Sequence, residues 1–288
     1  MTAATHVLEA PGLRAAFVPE LAMVGCSLEH EGVELLDLRD GLEAYRERGS
    51  TMGIPLLHPW ANRLAQPMPA SELVHRDANG LPIHGVLPRA LPFTVIEETS
   101  SRIEAQFDTH DHPAVLEVFR HPHSLTVEAV LDSTGLEIRT TLRAHGRRPL
   151  PVSFGYHPYL RLPGVPRAEW MVNIPARTQL HLDDRQLPTG IRDTVRVSRA
   201  ALGSRSLDDA YTDLGPQPRF TVTGGGRTIA VEFLDGYPYA QVYAPADHDL
   251  VCFEPMTAPT NALASGEGLP WVRPGEAYTA AFRITVAE

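Results

Sequence analysis

Two residues of this chain combine reactive groups with surroundings that would tune them. Glu254 closes the apolar run Leu250-Val251-Cys252-Phe253 and is followed at once by Pro255. An apolar run bounded by proline reads as a buried strand that stops there. A carboxylate at such a strand end is part-desolvated, and burial raises a carboxyl pKa toward the range a general base needs near neutral pH. The alternative is a glutamate held in an ion pair at a strand terminus. The second residue is His157, in Pro151-Val152-Ser153-Phe154-Gly155-Tyr156-His157-Pro158-Tyr159-Leu160. A histidine between Tyr and Pro, after an apolar strand, has little backbone freedom on either side. That rigidity keeps an imidazole aimed.

Three further segments put polar chemistry where turns are expected. The run from Gly53 to Arg63 ends in Trp60-Ala61-Asn62-Arg63. Arginine offers a planar fork of donors and asparagine both a donor and an acceptor, which suits vicinal hydroxyls; a solvated surface loop is the bland alternative. His84 precedes Gly85, where the backbone can turn sharply, and Arg89 follows five residues after the histidine. Asp208 and Asp209 stand together before Tyr211. Paired carboxylates can accept hydroxyl protons or hold a hard cation, and an acidic turn has the same appearance. One competing pattern is metallic. His110-Asp111-His112 with Glu117 has the His-x-His-x4-Glu spacing of a cupin-type metal site, with His121 and His123 nearby. Glu104 stands where the glycine upstream of that pair is expected, and Pro113 and Pro122 mark the stretch as a strand connection.

The elements that must carry these residues read as strands. Val127, Ala129 and Leu131 alternate, Asp132-Ser133-Thr134-Gly135 turns, and Leu136, Ile138 and Leu142 fall on alternate positions again. Phe220 and Val222 lead into Gly224-Gly225-Gly226, after which Ile229, Val231 and Phe233 resume. Period-two alternation across such turns is an antiparallel signal. Helical periodicity is confined to a weak candidate from Leu35 to Arg48. Without a linker-like stretch or an internal repeat, the chain reads as one all-β domain over residues 1–288, a large antiparallel sandwich.

Bulk properties bound the function. A 288-residue chain that is 43% hydrophobic and 21% charged can build a sizeable core. A net charge of -10 argues against nucleic acid as a partner. The segment Met1–Gly12 lacks the basic and apolar regions of a signal peptide, and no segment approaches the ~18 apolar residues of a membrane span. Cys26 and Cys252 lie far apart in apolar contexts, as reduced core residues of a cytoplasmic protein do. All 25 basic residues are arginine, for which we have no functional account.

Taken together, the ordered segments resemble the aldose 1-epimerase (mutarotase) family. They are Asn62-Arg63, His84-Gly85, Gly155-Tyr156-His157-Pro158-Tyr159, Leu207-Asp208-Asp209-Ala210-Tyr211, and Phe253-Glu254-Pro255 with Asn261 close behind. The resemblance implies a large twisted β-sandwich, the galactose mutarotase-like supersandwich, binding a sugar in an open concave face. It places Glu254 at the general base and His157 at the general acid. Arg63, His84 and one of the paired aspartates, Asp208 matching better than Asp209, fall on sugar-contacting positions, with Asn62 as a supporting contact. No metal or organic cofactor is expected. Anomer interconversion needs a proton taken from the C1 hydroxyl and one given to the ring oxygen. Ring opening, rotation about C1–C2 and closure on the other face follow. A carboxylate and an imidazolium on opposite sides of the sugar meet that need, with Glu254 ionised and His157 protonated at the start.

The chain departs from galactose-type members in two places. Val86 follows Gly85 where a second glycine is frequent, and Tyr156-His157-Pro158-Tyr159-Leu160 replaces an Asn-His-Ser-Tyr-Phe stretch. The Gly-Ile-Pro…Pro-Trp opening resembles the hexose-6-phosphate epimerase branch, in which an arginine shortly after the His-Gly pair contacts phosphate. Arg89, preceded by Pro88, lies one residue beyond that position, so Arg63 and Arg89 are a candidate phosphate clamp. A non-catalytic carbohydrate-binding protein is the reading of another class. Of the three tryptophans, Trp60, Trp170 and Trp271, the first is the one expected to see ligand. The sequence leaves the identity of the sugar and the oligomeric state open.

Overall fold

Alternating side chains in this sequence have two apolar surfaces to bury, and they bury them against each other. The computed structural model describes residues 4–66, 71–196 and 198–288. Met1–Ala3, the start of the segment read for a leader, lie outside the described residues. Among the described residues, one sheet has nine strands. Their order is Ser198–Ala201, Met171–Ile174, Arg219–Gly224, Arg227–Asp235, Ala277–Ala287, Gly135–Ala144, His123–Asp132, Arg102–Asp108 and Thr94–Glu98. A second sheet runs Pro188–Thr194, Thr178–Leu182, Leu207–Thr212, Tyr239–Ala244, Val251–Met256, Gly155–Tyr156 and Leu56–Leu57, with Tyr159–Leu160 also paired to Val251–Met256. A four-stranded sheet at the start of the chain and two short two-stranded pairs complete the set.

Both expected hairpins form. His123–Asp132 pairs with Gly135–Ala144 through to Asp132↔Gly135. Arg219–Gly224 pairs with Arg227–Asp235 across Gly225 and Gly226, both at positive φ as the tight turn requires. The two large sheets pack face to face. The rings of Phe253 and Phe220, one from each sheet, lie 5.6 Å apart, and those of Tyr156 and Phe282 lie 5.0 Å apart. The Tyr156 hydroxyl meets Thr140 Oγ1 at 2.7 Å, so this polar tip within the layer is satisfied. The main apolar cluster runs from Leu8 to Ile284, which joins both ends of the chain to one core. The expected all-β antiparallel sandwich is the observed fold.

Several local expectations need correction. The strand that carries Glu254 does not stop at Pro255; it continues to Met256, and Pro255 is in register with Ala240. The neighbouring segment explains why. It pairs at Gly155↔Met256 and again at Tyr159↔Cys252 but is open at His157-Pro158 between them. Proline, which has no N–H to give a ladder, occupies the gap. The helical stretch is shorter than the Leu35–Arg48 candidate: it spans Gly41–Arg48 and ends on Gly49 in the left-handed conformation. The cupin-like histidines do not converge. His110 is exposed, and His112 precedes the short helix Pro113–Val118 and stacks on Phe107 at 4.8 Å. Among the described residues no group of three or more potential ligands is placed to hold a metal ion. Nor is any helix long and apolar enough to cross a membrane. Cys26 and Cys252 are free thiols, the second fully buried.

Phe253 is 0% exposed and bridges the sheets. Truncation to alanine is expected to cost about 3–5 kcal/mol of unfolding free energy, read by urea denaturation. A loss under ~1 kcal/mol would show that the layer does not depend on this contact.

Candidate functional site

The outer face of the eight-stranded sheet carries the site. In Val251–Met256, Val251 and Phe253 point into the sandwich, so Cys252, Glu254 and Met256 point away from it. The same alternation in Tyr239–Ala244 sends Gln241 and Tyr243 outward, and in Leu207–Thr212 it sends Asp208 outward. Register then aligns two rows across the sheet. One is Asp208–Tyr243–Cys252–Tyr159. The other holds Gln241 opposite Glu254. Because the pairs Gly155↔Met256 and Tyr159↔Cys252 share one register, the open residue midway between them, His157, stands opposite Glu254.

The side chains follow. His157 Nε2 lies 3.2 Å from Glu254 Oε1, and the two side chains are 7% and 2% exposed. The pair is therefore in direct contact, not separated across a ligand as the sequence reading supposed. The imidazole stacks on the Tyr159 ring at 4.3 Å, and the Tyr159 hydroxyl reaches His157 Nε2 at 3.4 Å and Thr51 Oγ1 at 2.6 Å. On the other flank, Gln241 Nε2 donates to Asp208 Oδ1 at 2.6 Å. Glu254 Oε2, His157 Nδ1 and Gln241 Oε1 are buried without a hydrogen-bond partner. Three orphans in one place are costly, and they are what a polar ligand would satisfy.

Loops close the other side. Asn62 and His84 adopt left-handed backbone conformations, at φ 57° and 60°. Such strain in non-glycine residues gathers at sites where the surroundings over-determine it. Gly85 is required: a Cβ there would collide with the His58 carbonyl. His84 Nδ1 accepts the Asn62 N–H at 3.3 Å, which leaves Nε2–H as the donor of this ring. Asn62 Oδ1 accepts from Arg63 Nη1 at 3.3 Å, and Arg63 Nε donates to Asp77 Oδ2 at 2.7 Å. The open cavity between these segments and the sheet has a volume of about 180 Å³. Asn62, Arg63, His84, His157, Asp208 and Glu254 line it, and Arg39, Ile83, Tyr159 and Tyr243 complete its wall.

Burial sets the electrostatics. Desolvation, and then the nearby Asp208 charge, push the Glu254 carboxyl well above its ordinary value. Desolvation pushes His157 down to about 3 and His84 well below 6.5. Asp208 is raised by burial, against the opposing bond from Gln241. Burial thus disfavours the charged form of both partners, which works against the ionised start expected from the sequence. The proton count is the same in the neutral and the ionised pair, and one transfer across 3.2 Å interconverts them. Beneath the site a second histidine pair is buried. His123 Nδ1 donates to the His121 carbonyl at 2.6 Å, so its Nε2 accepts from His58 Nε2 at 2.8 Å. Desolvation and mutual repulsion hold His58 far down, and desolvation holds His123 at about 4.

Three of the residues singled out from the sequence are not in the cavity. Trp60 is 1% exposed and belongs to the main core cluster. Asp209 points to the opposite side of its strand from Asp208 and is held by Gln179 at 3.0 Å and Tyr211 at 3.4 Å. Arg89 donates to the carbonyls of Arg46 and Glu47 at the end of the helix Gly41–Arg48, so it forms no clamp with Arg63. Conversely, Arg39, Tyr159 and Tyr243 of the cavity wall, and Gln241 opposite Glu254 in the sheet, were not selected. The signal for the last two was present: Gln241 and Tyr243 are the polar tips on alternate positions of an otherwise apolar strand.

A sequence model of the aldose 1-epimerase family matches residues 24–285. The uncharacterized protein YihR of Escherichia coli (strain K12) is 23% identical over 252 residues, which are 80% of each chain. A solved protein of Synechocystis sp. PCC 6803 superposes with a TM-score of 0.80 at 26% identity, covering 100% of this chain and 96% of the other. A galactose mutarotase-like protein from Clostridium acetobutylicum superposes at 0.84 with 19% identity, over 99% of this chain and 95% of its own.

The buried imidazoles make a stability prediction. His58, His84, His123 and His157 are neutral when folded, with pKa values below the 6.5 of the unfolded chain. Below that value the unfolded state binds more protons, so their stabilisation is lost as pH falls from 6.5 toward about 4. His75 and His121 are lowered too, while Glu254, Asp208 and Asp209, raised when folded, act in the opposite sense, so the lowered imidazoles outnumber the raised carboxyls. Unfolding free energy should therefore fall between pH 7 and pH 5.5, with a net uptake of protons on unfolding. Urea titrations across that range check it; a flat or rising profile would show that these rings are charged or exposed.

Proposed function

The chain belongs to the aldose 1-epimerase family, and on that premise we propose that it interconverts the α and β anomers of an aldohexose or a related sugar. The observation that carries this reading is the contact between His157 and Glu254, with its unpartnered oxygen and nitrogen, at the base of a polar cavity. The two oxygens whose protons must move are both bonded to C1 of the sugar. An acid and a base that touch each other are therefore well placed to serve them together. In the proposed cycle, sugar hydroxyls supply the hydrogen bonds that the empty pair lacks, and the proton passes from Glu254 to His157. Glu254 takes the C1 hydroxyl proton while His157 gives one to the ring oxygen, and the C1–O5 bond opens to the aldehyde. After rotation about C1–C2, Glu254 returns a proton to O1, His157 takes one from O5, and the ring closes on the other face. No proton is gained or lost over a turnover.

Arg63 and His84 offer N–H donors to sugar oxygens, Asp208 accepts from hydroxyls, and Asn62 sets the Arg63 and His84 geometry through its side chain and backbone. We infer that residues 1–288 act as one domain, supported by the core that joins both ends of the chain. Arg39 favours a second reading. It is exposed at the cavity wall, and its guanidinium makes no hydrogen bond or ion pair among the described residues. A sugar with an anionic substituent, such as a hexose 6-phosphate, would give it a partner.

Anomer exchange measured by NMR on free aldoses and hexose 6-phosphates tests both readings. Each member of an acid–base pair contributes about 10²–10⁴-fold, so Glu254→Gln and His157→Asn should each lower kcat by at least ~10²-fold with the fold intact by circular dichroism. Wild-type turnover in either variant sinks the mechanism. Sugar binding without exchange by the wild type would instead identify a carbohydrate-binding protein. A preference for phosphorylated sugars that disappears in Arg39→Ala would establish the second reading.

A further inference from the structure

We propose that Asp77 is a positioning residue for sugar binding: it fixes the edge of Arg63 presented to the cavity and ties that arginine to the segment that delivers His84. The inference rests on the epimerase reading of the same site. An arginine has five N–H donors, and its aim is set by what occupies the edges it does not use. In Arg63, Nε is bound by Asp77 Oδ2 at 2.7 Å and Nη1 by Asn62 Oδ1 at 3.3 Å. The remaining Nη2 edge is left for the cavity that Arg63 lines. The two side chains are 17% and 9% exposed, so the pair is screened far less than a surface bridge.

The second carboxylate oxygen does different work. Asp77 Oδ1 accepts the N–H groups of Asn79 and Leu81, both at 2.9 Å. The Asp77 N–H donates to the Leu81 carbonyl at 2.9 Å, which closes the turn. That turn feeds the strand Pro82–Val86, on which His84 sits. The strand is then stitched back to the arginine segment: Leu64 N–H bonds the Pro82 carbonyl at 2.9 Å, and His84 N–H bonds the Asn62 carbonyl at 3.0 Å. One carboxylate thus grips Arg63 with one oxygen and shapes the approach to His84 with the other. Burial alone would raise this carboxyl, but the bonds from Arg63, Leu81 and Asn79 outweigh it and hold Asp77 below its usual value. It therefore stays a full acceptor across neutral pH.

Asp77→Asn separates the two tasks, because the amide oxygen still accepts from Asn79 and Leu81 while its NH2 cannot accept from Arg63. The variant is expected to raise KM for the sugar about tenfold, the scale of one charge-assisted hydrogen bond, and to change kcat by less than about threefold. In a cycle with Arg63→Lys, the double variant should be no worse than Arg63→Lys alone. An unchanged KM, or fully additive losses, would overturn the proposal, since a merely structural aspartate lowers Tm without that coupling. The Arg63 Nε–H resonance gives an activity-free readout by ¹⁵N NMR. It should be protected from exchange in the wild type and lose that protection in Asp77→Asn. An inactive wild type with this protection intact removes the epimerase reading and leaves the Asp77 grip standing. Absence of protection in the wild type removes the grip whatever the activity.

Discussion

Antiparallel register is the constraint on which the site depends. The segment beside Val251–Met256 pairs, opens for two residues at His157-Pro158 and pairs again without slipping. An opening that preserves register leaves His157 opposite Glu254 and releases its backbone from the ladder. A one-residue slip would turn Glu254 or His157 into the sandwich, because side chains alternate faces with period two. Pro158 on one side of the opening and Pro255 on the other are the two residues that ask least of a ladder. The gap is therefore written into both strands.

The same geometry explains why so much polarity is kept dry. The sandwich core lies behind the sheet, and the segment of residues 59–63 and the short strand Pro82–Val86 wall the other side, so Glu254 and His157 on the outer face are nearly as buried as groups inside. Desolvation drives Glu254, Asp208, His157 and His84 toward neutrality, and the Asp208 charge pushes Glu254 further in that direction. Glu254 Oε2, His157 Nδ1 and Gln241 Oε1 have no partner within the protein, and leaving such buried atoms unpaired costs free energy. A ligand that satisfies them recovers that cost on binding, which ties affinity to hydrogen-bonding groups and not to apolar area.

The sequence made the outer rows legible where a reactive residue interrupted an apolar run. Glu254 and His157 stood out in this way and Asn62 and Arg63 by their place at the end of such a run, whereas His84 was marked by the glycine after it and Asp208 by its paired carboxylate and the family resemblance. Both hairpins were visible because alternation and turn chemistry agreed there. What stayed hidden depended on contacts distant in sequence. Gln241 matters because register sets it against Glu254, and Asp77 because a turn folds back onto Arg63 14 residues earlier. Trp60 misled because an aromatic beside polar residues reads as a ligand platform, whereas its ring fills the core. Asp209 misled for a simpler reason: neighbours in a strand face opposite ways. Pro255 was taken as a stop, since the break in the adjacent segment that accommodates it is not a local property of the strand.

The division between sheet and loop at this cavity bears on how such a protein can change over generations. Glu254, Gln241 and Asp208 are sheet positions fixed together by backbone pairing, and the pairs on either side of His157 hold it opposite Glu254. Asn62, Arg63 and Arg39 sit in connecting segments, and His84, though on a short strand, is held in place by contacts with those segments. Insertions, deletions and substitutions in connecting segments leave strand register untouched. Ancestral variation of that kind would re-shape what the cavity grips while the groups that exchange the proton stay where they are. New preferences can then arise in this architecture without the reactive centre having to be invented again.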